Sequence, residues 1–308
     1  MTIQQLEYIV ALDKYRHFVR AAAACHVTQS TLSSMIQKLE SEMDLVIFDR
    51  NSHPVCPTPS GERFITQAKV VLFNAEQLHE MTLSEKEQNS GELLLGVIPT
   101  VAPYILPKLF KELRASHPSI KLRVFEMRTA SVIEKMQRAE LDMAIVATPL
   151  QRDDILEVPL YYEKFVAYVS PTEPLFAQSE IESHHMPSKH LWVLQEGHCL
   201  RNQVFNFCEK KTDYSAIYEA GSIDTLVRIV DENGGYTIIP ELHIDLLRKC
   251  QQSQIRPLIA PEPVREISLI IRPDYVRQRM VNIIAEAIKT IIPDHMIDER
   301  LKKFAIKL

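Results

Sequence analysis

Two cysteines nine residues apart, Cys199 and Cys208, are the residues of this chain best suited to chemistry. Gly197 closes the apolar run Trp192-Val193-Leu194, and the residues after Cys199 read as a helix. The thiol therefore falls near a helix N-terminus with His198 and Arg201 beside it. Unpaired backbone N–H groups, the helix dipole and neighbouring cations all favour thiolate over thiol, which lowers the pKa and makes a nucleophile. On a redox reading Cys208 is the resolving partner. If the segment is helical throughout, nine steps of about 1.5 Å put the two Cα atoms roughly 13 Å apart. A disulfide needs about 4.4–6.8 Å, so pairing these cysteines refolds the segment, and oxidation becomes a conformational event. The same spacing fits two buried, inert thiols, the commoner fate of an intracellular cysteine.

The elements that would position these residues come from the rest of the chain. With 308 residues, 46% hydrophobic and 24% charged, it has ordinary globular composition and length for two or three domains. No charged leader precedes an apolar stretch at the start, and the longest apolar runs, such as 93–98, are too short to span a bilayer. A cytoplasmic protein without a membrane partner is expected. Five cysteines, an odd number, argue against a structural disulfide framework. Cys25, Cys56 and Cys250 read as packing or incidental thiols. His184, His185, His190 and His198 with the two central cysteines lack the Cys-x-x-Cys or His-x-x-x-His spacing of a zinc site. Neither metal nor cofactor is expected.

The first sixty residues carry a second chemistry. Ile3, Leu6, Ile9 and Val10 fall at helical spacing, and residues 17–24 form an alanine-rich helix whose small side chains permit close crossing. After a turn at Cys25-His26-Val27, Thr28 is placed to cap a third helix whose apolar positions are Leu32, Met35, Ile36, Leu39 and Met43. Its other face is polar: Gln29, Ser30, Thr31, Ser33, Ser34, Gln37 and Lys38, with Thr28 at its start, offer donors and acceptors suited to base edges and phosphates in a major groove. Helix, alanine-rich helix, short turn and polar third helix spell helix-turn-helix. The local charge does not help, since five basic residues face six acidic ones over residues 1–50, and the whole chain carries −5. Two short strands around a Pro-rich turn follow, then a helix from Pro59 in which Phe64, Ala68, Val71, Ala75 and Leu78 form a short coiled-coil seam. It ends near Glu87-Gln88-Asn89-Ser90-Gly91. The domain boundaries expected are residues 1–58 for DNA binding, 59–90 for a dimerising linker helix and 91–308 for an effector domain.

From residue 92 onward strands and helices alternate: strand 93–98, helix 105–114, strand 120–126, helix 132–138, strand 141–147. That rhythm predicts βαβ units and a parallel sheet. A second series runs through 165–169, 192–194, 217–220 and 236–239, before strand 267–271 and the helix after Tyr275 return to the first. The result is an α/β effector domain of two subdomains, 91–163 with 267–308 and 164–266, enclosing a cleft. Ligands bind beyond the carboxyl ends of such strands. Thr100 follows the first strand and Thr129 the second, while Cys199 follows 192–194 in the other subdomain. On the residues alone each threonine is better placed as a helix N-cap than as a ligand group.

The first ninety residues resemble the winged helix-turn-helix and linker helix of LysR-type transcriptional regulators. The segments Ile98-Pro99-Thr100-Val101-Ala102-Pro103-Tyr104-Ile105-Leu106-Pro107, Gly197-His198-Cys199-Leu200-Arg201 through Cys208, and Pro261-Glu262-Pro263 look like those of the family's peroxide-sensing members. That resemblance implies a periplasmic-binding-protein-like effector fold, with Cys199 as the reactive cysteine and Cys208 as the resolving one. It also implies a peroxide pocket of Thr100, Thr129, His198 and Arg265, supported by Arg201. The partners it implies are hydrogen peroxide, promoter DNA, RNA polymerase and three further copies of the chain in a tetramer. The activity expected is transcriptional activation and not enzyme turnover. A member of the same family that answers to a small-molecule inducer in its cleft is the alternative. The chain departs from relatives in the wing, where Asn51-Ser52-His53-Pro54 replaces basic residues, and near Asp44, where many have glycine.

Overall fold

The computed structural model describes residues 1–80, 91–187, 190–195, 197, 200 and 219–297. Two compact units emerge, one N-terminal and one C-terminal. No helix among the described residues is long and apolar enough to cross a membrane.

The N-terminal unit is built from three short helices. Helix α1 (Ile3–Tyr15) starts in a capping box: the Thr2 hydroxyl accepts from Gln5 N at 3.3 Å, and Gln5 Oε1 accepts from Thr2 N at 2.8 Å. Leu6, Ile9 and Leu12 of α1, Ala21 and Ala22 of α2 (Phe18–Ala24), and Leu32, Ile36 and Leu39 of α3 (Gln29–Glu42) are buried together. The i, i+4, i+7 stripe of α3 thus points inward as its spacing requires. Met43, assigned to the same stripe, is instead 39% exposed, because the helix ends at Glu42 and Met43 is its C-cap. Strands β1 (Phe48–Asp49) and β2 (Cys56–Pro57) pair antiparallel to make the wing. Glu40 ties its root to α3, accepting from Ile47 N at 2.8 Å, Phe48 N at 3.1 Å and Arg50 Nη2 at 2.9 Å.

Helix α4 (Pro59–Glu80) opens with Pro59 in its first turn and with Thr58 Oγ1 accepting from Gly61 N at 2.9 Å. Here the backbone of α4 crosses the wing root so closely that a Cβ on Gly61 would lie 2.0 Å from the carbonyl oxygen of Ile47. Neither side of that contact is a flexible side chain. Gly61→Ala is therefore expected to lower the stability of the N-terminal unit by about 2–3 kcal/mol, with a matching loss of DNA affinity. Thermal unfolding by circular dichroism with a DNA titration measures both, and an unchanged melt would mean the wing root yields. Along α4, Ile65 and Ala68 pack into this core, whereas Leu78 is 68% exposed.

The C-terminal unit is organised on a sheet of order β4-β3-β5-β12-β6-β10-β8-β9. Strands β3 (Gly91–Val97), β4 (Ile120–Glu126) and β5 (Met143–Thr148) are parallel, linked through helices α5 (Ala102–Ser116) and α6 (Thr129–Gln137). In the other half β8 (Leu191–Leu194), β9 (Glu219–Ala220) and β10 (Tyr236–Pro240) are also parallel. Helix α7 (Ile223–Asn233) joins β9 to β10, its start capped by Ser222, which accepts from Thr225 N at 3.3 Å. The two halves are stitched by β6 (Leu156–Val169) and β12 (Val264–Ile271), which pair antiparallel with each other. The first part of β6 lies against β12 and its end against β10 and β11 (Ile255–Ile259). Helix α9 (Gln278–Ile291), beyond the short α8 (Lys249–Gln252), packs its apolar face on the first half, against α5 and β6.

The strand expected at 165–169 thus begins nine residues earlier, at Leu156. Glu157, Pro159 and Glu163 interrupt the apolar pattern there, and a bulge opposite Ile267 and Ser268 accommodates the proline. The parallel sheet expected from the alternation is found in β3, β4 and β5 and in β8, β9 and β10, and β12 and β6 join these antiparallel.

Candidate functional site

Val97 and Glu126 are paired across β3 and β4, and Thr100 and Thr129 each lie three residues beyond them. Both threonines therefore sit at the same edge of the parallel sheet, where the strands end and α5 and α6 begin. Neither acts as a side-chain cap. Thr100 lies one residue before the α5 N-cap Val101 and uses its hydroxyl to accept from Arg265 Nη1 at 3.0 Å. Thr129 Oγ1 is buried at the head of α6 and has no hydrogen-bond partner among the described residues.

Arg265 on β12 stands directly across from Glu163 on β6, and both side chains are 0% exposed. Glu163 Oε1 accepts from Arg265 Nε at 2.8 Å, and Nη2 lies 2.7 Å from the same oxygen as an ion pair. Tyr104 of α5 closes the cluster, donating to the same Oε1 at 2.7 Å and accepting from Arg265 Nη2 at 3.0 Å. Nη2 also reaches the Thr100 carbonyl at 3.2 Å, and the Phe165 ring lies 5.5 Å from the guanidinium carbon. Burial pushes the Glu163 carboxyl up, against the pull of Arg265 and the Tyr104 hydroxyl. Burial, then the neighbouring Glu163, drives the Tyr104 phenol well above its usual range, so it stays a neutral donor. His243, in the turn after β10, is buried too: desolvation and the Arg265 cation hold its imidazole down while Asp224 pulls it up.

The structure thus brings Thr100 and Arg265 together and sets Thr129 at the same sheet edge. Cys199, Cys208, His198 and Arg201 lie outside the described residues. Their neighbours do not: Gly197 adopts φ +90°, with a would-be Cβ 3.1 Å from the Arg128 side chain, and Leu200 belongs to the buried core around β8 and β10. Arg128 immediately precedes Thr129. Glu163 and Tyr104 were missed by sequence reasoning. The signal for Glu163 was the charged pair Glu163-Lys164 inside the run 160–169, of which a strand buried on both faces can bury the carboxylate only beside a cation, while Tyr104 carried no signal of its own. His185 and His190 are engaged with single carboxylates, Glu182 at 2.6 Å and Glu173 at 3.2 Å. Among the other cysteines, Cys25 is half-buried and Cys56 and Cys250 are exposed.

In the N-terminal unit, Gln29, Ser30, Thr31, Ser34, Gln37 and Lys38 line the outer face of α3, exposed, with Ser33 half-buried at its margin. Thr28 is a cap, its hydroxyl accepting from Thr31 N at 3.2 Å. Ser34 Oγ donates back to the Thr31 carbonyl at 3.0 Å, leaving its oxygen lone pairs outward.

A helix-turn-helix with a wing, followed by a two-subdomain α/β unit whose buried polar groups gather at one sheet edge, defines a ligand-controlled DNA-binding regulator. The helix-turn-helix family of bacterial regulatory proteins, lysR family, matches residues 3–62, and the LysR substrate binding domain family matches residues 86–291. The chain belongs to the LysR family of helix-turn-helix transcriptional regulators. It is 35% identical over 299 residues to the hydrogen peroxide-inducible genes activator of Haemophilus influenzae, covering 95% of this chain and 99% of that protein. It is also 35% identical over 304 residues to the DNA-binding transcriptional dual regulator OxyR of Escherichia coli K12, covering 98% and 99%. Full-length OxyR from Pseudomonas aeruginosa, a variant, superposes with a TM-score of 0.80 at 34% identity, covering 94% of this chain and 98% of that one.

Proposed function

We propose that this protein is a peroxide-responsive transcriptional regulator in which Cys199 is the sensing thiol and Cys208 its resolving partner. The Cys199 thiolate attacks one oxygen of hydrogen peroxide, the O–O bond breaks, and hydroxide leaves to be protonated by solvent. The sulfenic acid then condenses with the Cys208 thiol, forming the disulfide and releasing water. Oxidation is stoichiometric, one peroxide per switch, and not catalytic turnover.

One observation carries the reading. The Thr129 hydroxyl is buried without a hydrogen-bond partner among the described residues, beside an arginine packed on Gly197, two residues before Cys199. A buried orphan hydroxyl costs free energy unless something binds it, and a threonine hydroxyl both donates and accepts, as orienting a peroxide requires. The names of the peroxide-inducible relatives point the same way. His198 and Arg265 complete the pocket with Thr100, and Arg201 helps to hold the thiolate.

The α3 face carries the DNA contacts, with Gln29, Ser30, Thr31, Ser33, Ser34, Gln37 and Lys38 facing the major groove. The exposed Leu78 end of the α4 seam is covered by a second copy, and two such dimers make a tetramer that acts with RNA polymerase at a promoter in the cytoplasm. Non-reducing peptide mapping after one equivalent of hydrogen peroxide is expected to yield the linked Cys199 and Cys208 peptides. Thiols left unchanged would favour a small-molecule inducer in the cleft. Reduced and disulfide forms are further expected to give different DNase footprints at equal oligomer mass. Identical footprints would disconnect the redox chemistry from the promoter.

A further inference from the structure

Arginine has no acceptor, so the sense of its hydrogen bond to Thr100 is fixed: Nη1 donates and Thr100 Oγ1 accepts. A hydroxyl that is already accepting from a cation keeps its own hydrogen for another partner. No further hydrogen bond of that hydroxyl occurs among the described residues. The direction of Nη1 is in turn set from behind. Glu163 Oε1 accepts from Nε and pairs with Nη2, and Tyr104 bridges Nη2 and the same carboxylate oxygen, so the guanidinium is anchored through Nε and Nη2 while Nη1 is left to Thr100. Glu163 and Arg265 also face each other in strand register, which leaves the pair little freedom to slide.

We propose that Glu163, helped by Tyr104, is a positioning residue for peroxide: it fixes the Arg265 guanidinium so that Thr100 must present its hydroxyl hydrogen to the bound ligand. This rests on the peroxide reading above and adds to it a residue that does not touch the ligand. The consequence is electrostatic. As the S–O bond forms and the O–O bond breaks, negative charge builds on the departing oxygen, and a donor aimed there in advance stabilises the transition state without reorganisation. A freely rotating threonine would spend part of its time offering a lone pair instead.

The test is a double-mutant cycle on the full-length protein, reading the second-order rate of Cys199 oxidation by hydrogen peroxide. Glu163→Gln keeps the shape and one acceptor oxygen but weakens the hold on Arg265, and is expected to slow oxidation about tenfold. Thr100→Val is expected to slow it at least as much. If Glu163 acts through Thr100, the double variant should be no slower than Thr100→Val alone, within about twofold. A merely structural role for Glu163 would make the two losses multiply, and that result, or a wild-type rate for Glu163→Gln, overturns the proposal. Tyr104→Phe, which leaves the ion pair intact, runs through the same cycle with an expected loss of about threefold and decides the matter if Glu163→Gln does not fold. Wild-type protein whose Cys199 ignores peroxide would instead sink the parent reading, so the two failures are told apart.

Discussion

Cys199→Ser protein is expected to lose its transcriptional response to peroxide entirely, whereas Cys208→Ser protein still consumes one equivalent and stops at the sulfenic acid. The asymmetry follows from the chemistry. A serine hydroxyl stays protonated at neutral pH and is a poor nucleophile toward peroxide, while a thiolate flanked by His198 and Arg201 is both ionised and polarisable. Removing Cys208 leaves that first step untouched and removes only the thiol that condenses with its product. A promoter-reporter assay measures the response, and dimedone trapping followed by peptide mass spectrometry measures the sulfenic acid. A normal reporter response from Cys199→Ser protein would end the sensor assignment. Trapping of equal sulfenic acid in wild type and in the Cys208 variant would show that Cys208 does not resolve it.

Local rules carried much of the architecture into the sequence. The cap at Thr28, the inward stripe of Leu32, Ile36 and Leu39, the proline-led start of α4 and the alternation of short strands with helices each follow from interactions within a few residues. The long strand β6 did not, because its first half is held by pairing with β12, a hundred residues away, and its own pattern is broken by Glu157, Pro159 and Glu163. Strand β11 was missed for the same reason, since Ile255–Ile259 includes Arg256 and Pro257 and is stabilised by β6 and β7 (Ile181–Glu182). At the sheet edge the residue types were legible but their roles were not. Cap and ligand group are the same threonine in sequence, and only the absence of a capping bond at Thr100 and Thr129 separates them. Glu163 stands next to Lys164 in sequence, yet its partner in the fold is Arg265, 102 residues away, and Lys164 pairs with Glu262 instead.

Replacing Arg265 should strongly destabilise the C-terminal unit, because it belongs to a fully buried ion pair. Arg265→Met keeps most of the volume and removes the charge, leaving Glu163 buried with the Tyr104 hydroxyl as its hydrogen-bond partner. Breaking a fully buried pair from one side costs about 3–5 kcal/mol, since the surviving charge has no cation beside it. The loss should depend on pH. In the wild type burial already lifts the Glu163 carboxyl, with Arg265 the main counterweight; without Arg265 it rises further. A carboxyl whose folded pKa is raised stabilises the fold below its unfolded value, about 4.3, and that contribution is lost as pH climbs through the folded value. His243 moves the balance the same way, because removing the Arg265 cation relieves part of the depression of its imidazole and so lessens the penalty at acidic pH. The variant should thus come closer to wild type at pH 5 than at pH 8. Trp192, the chain's single tryptophan, sits in β8 of the same unit and reports its unfolding in a urea titration. Adding Glu163→Gln to Arg265→Met removes the stranded charge and should recover much of the stability at pH 8 without restoring peroxide sensing. A pH-independent loss, or a double variant less stable than Arg265→Met alone, would show that the pair is not the electrostatic unit its geometry describes.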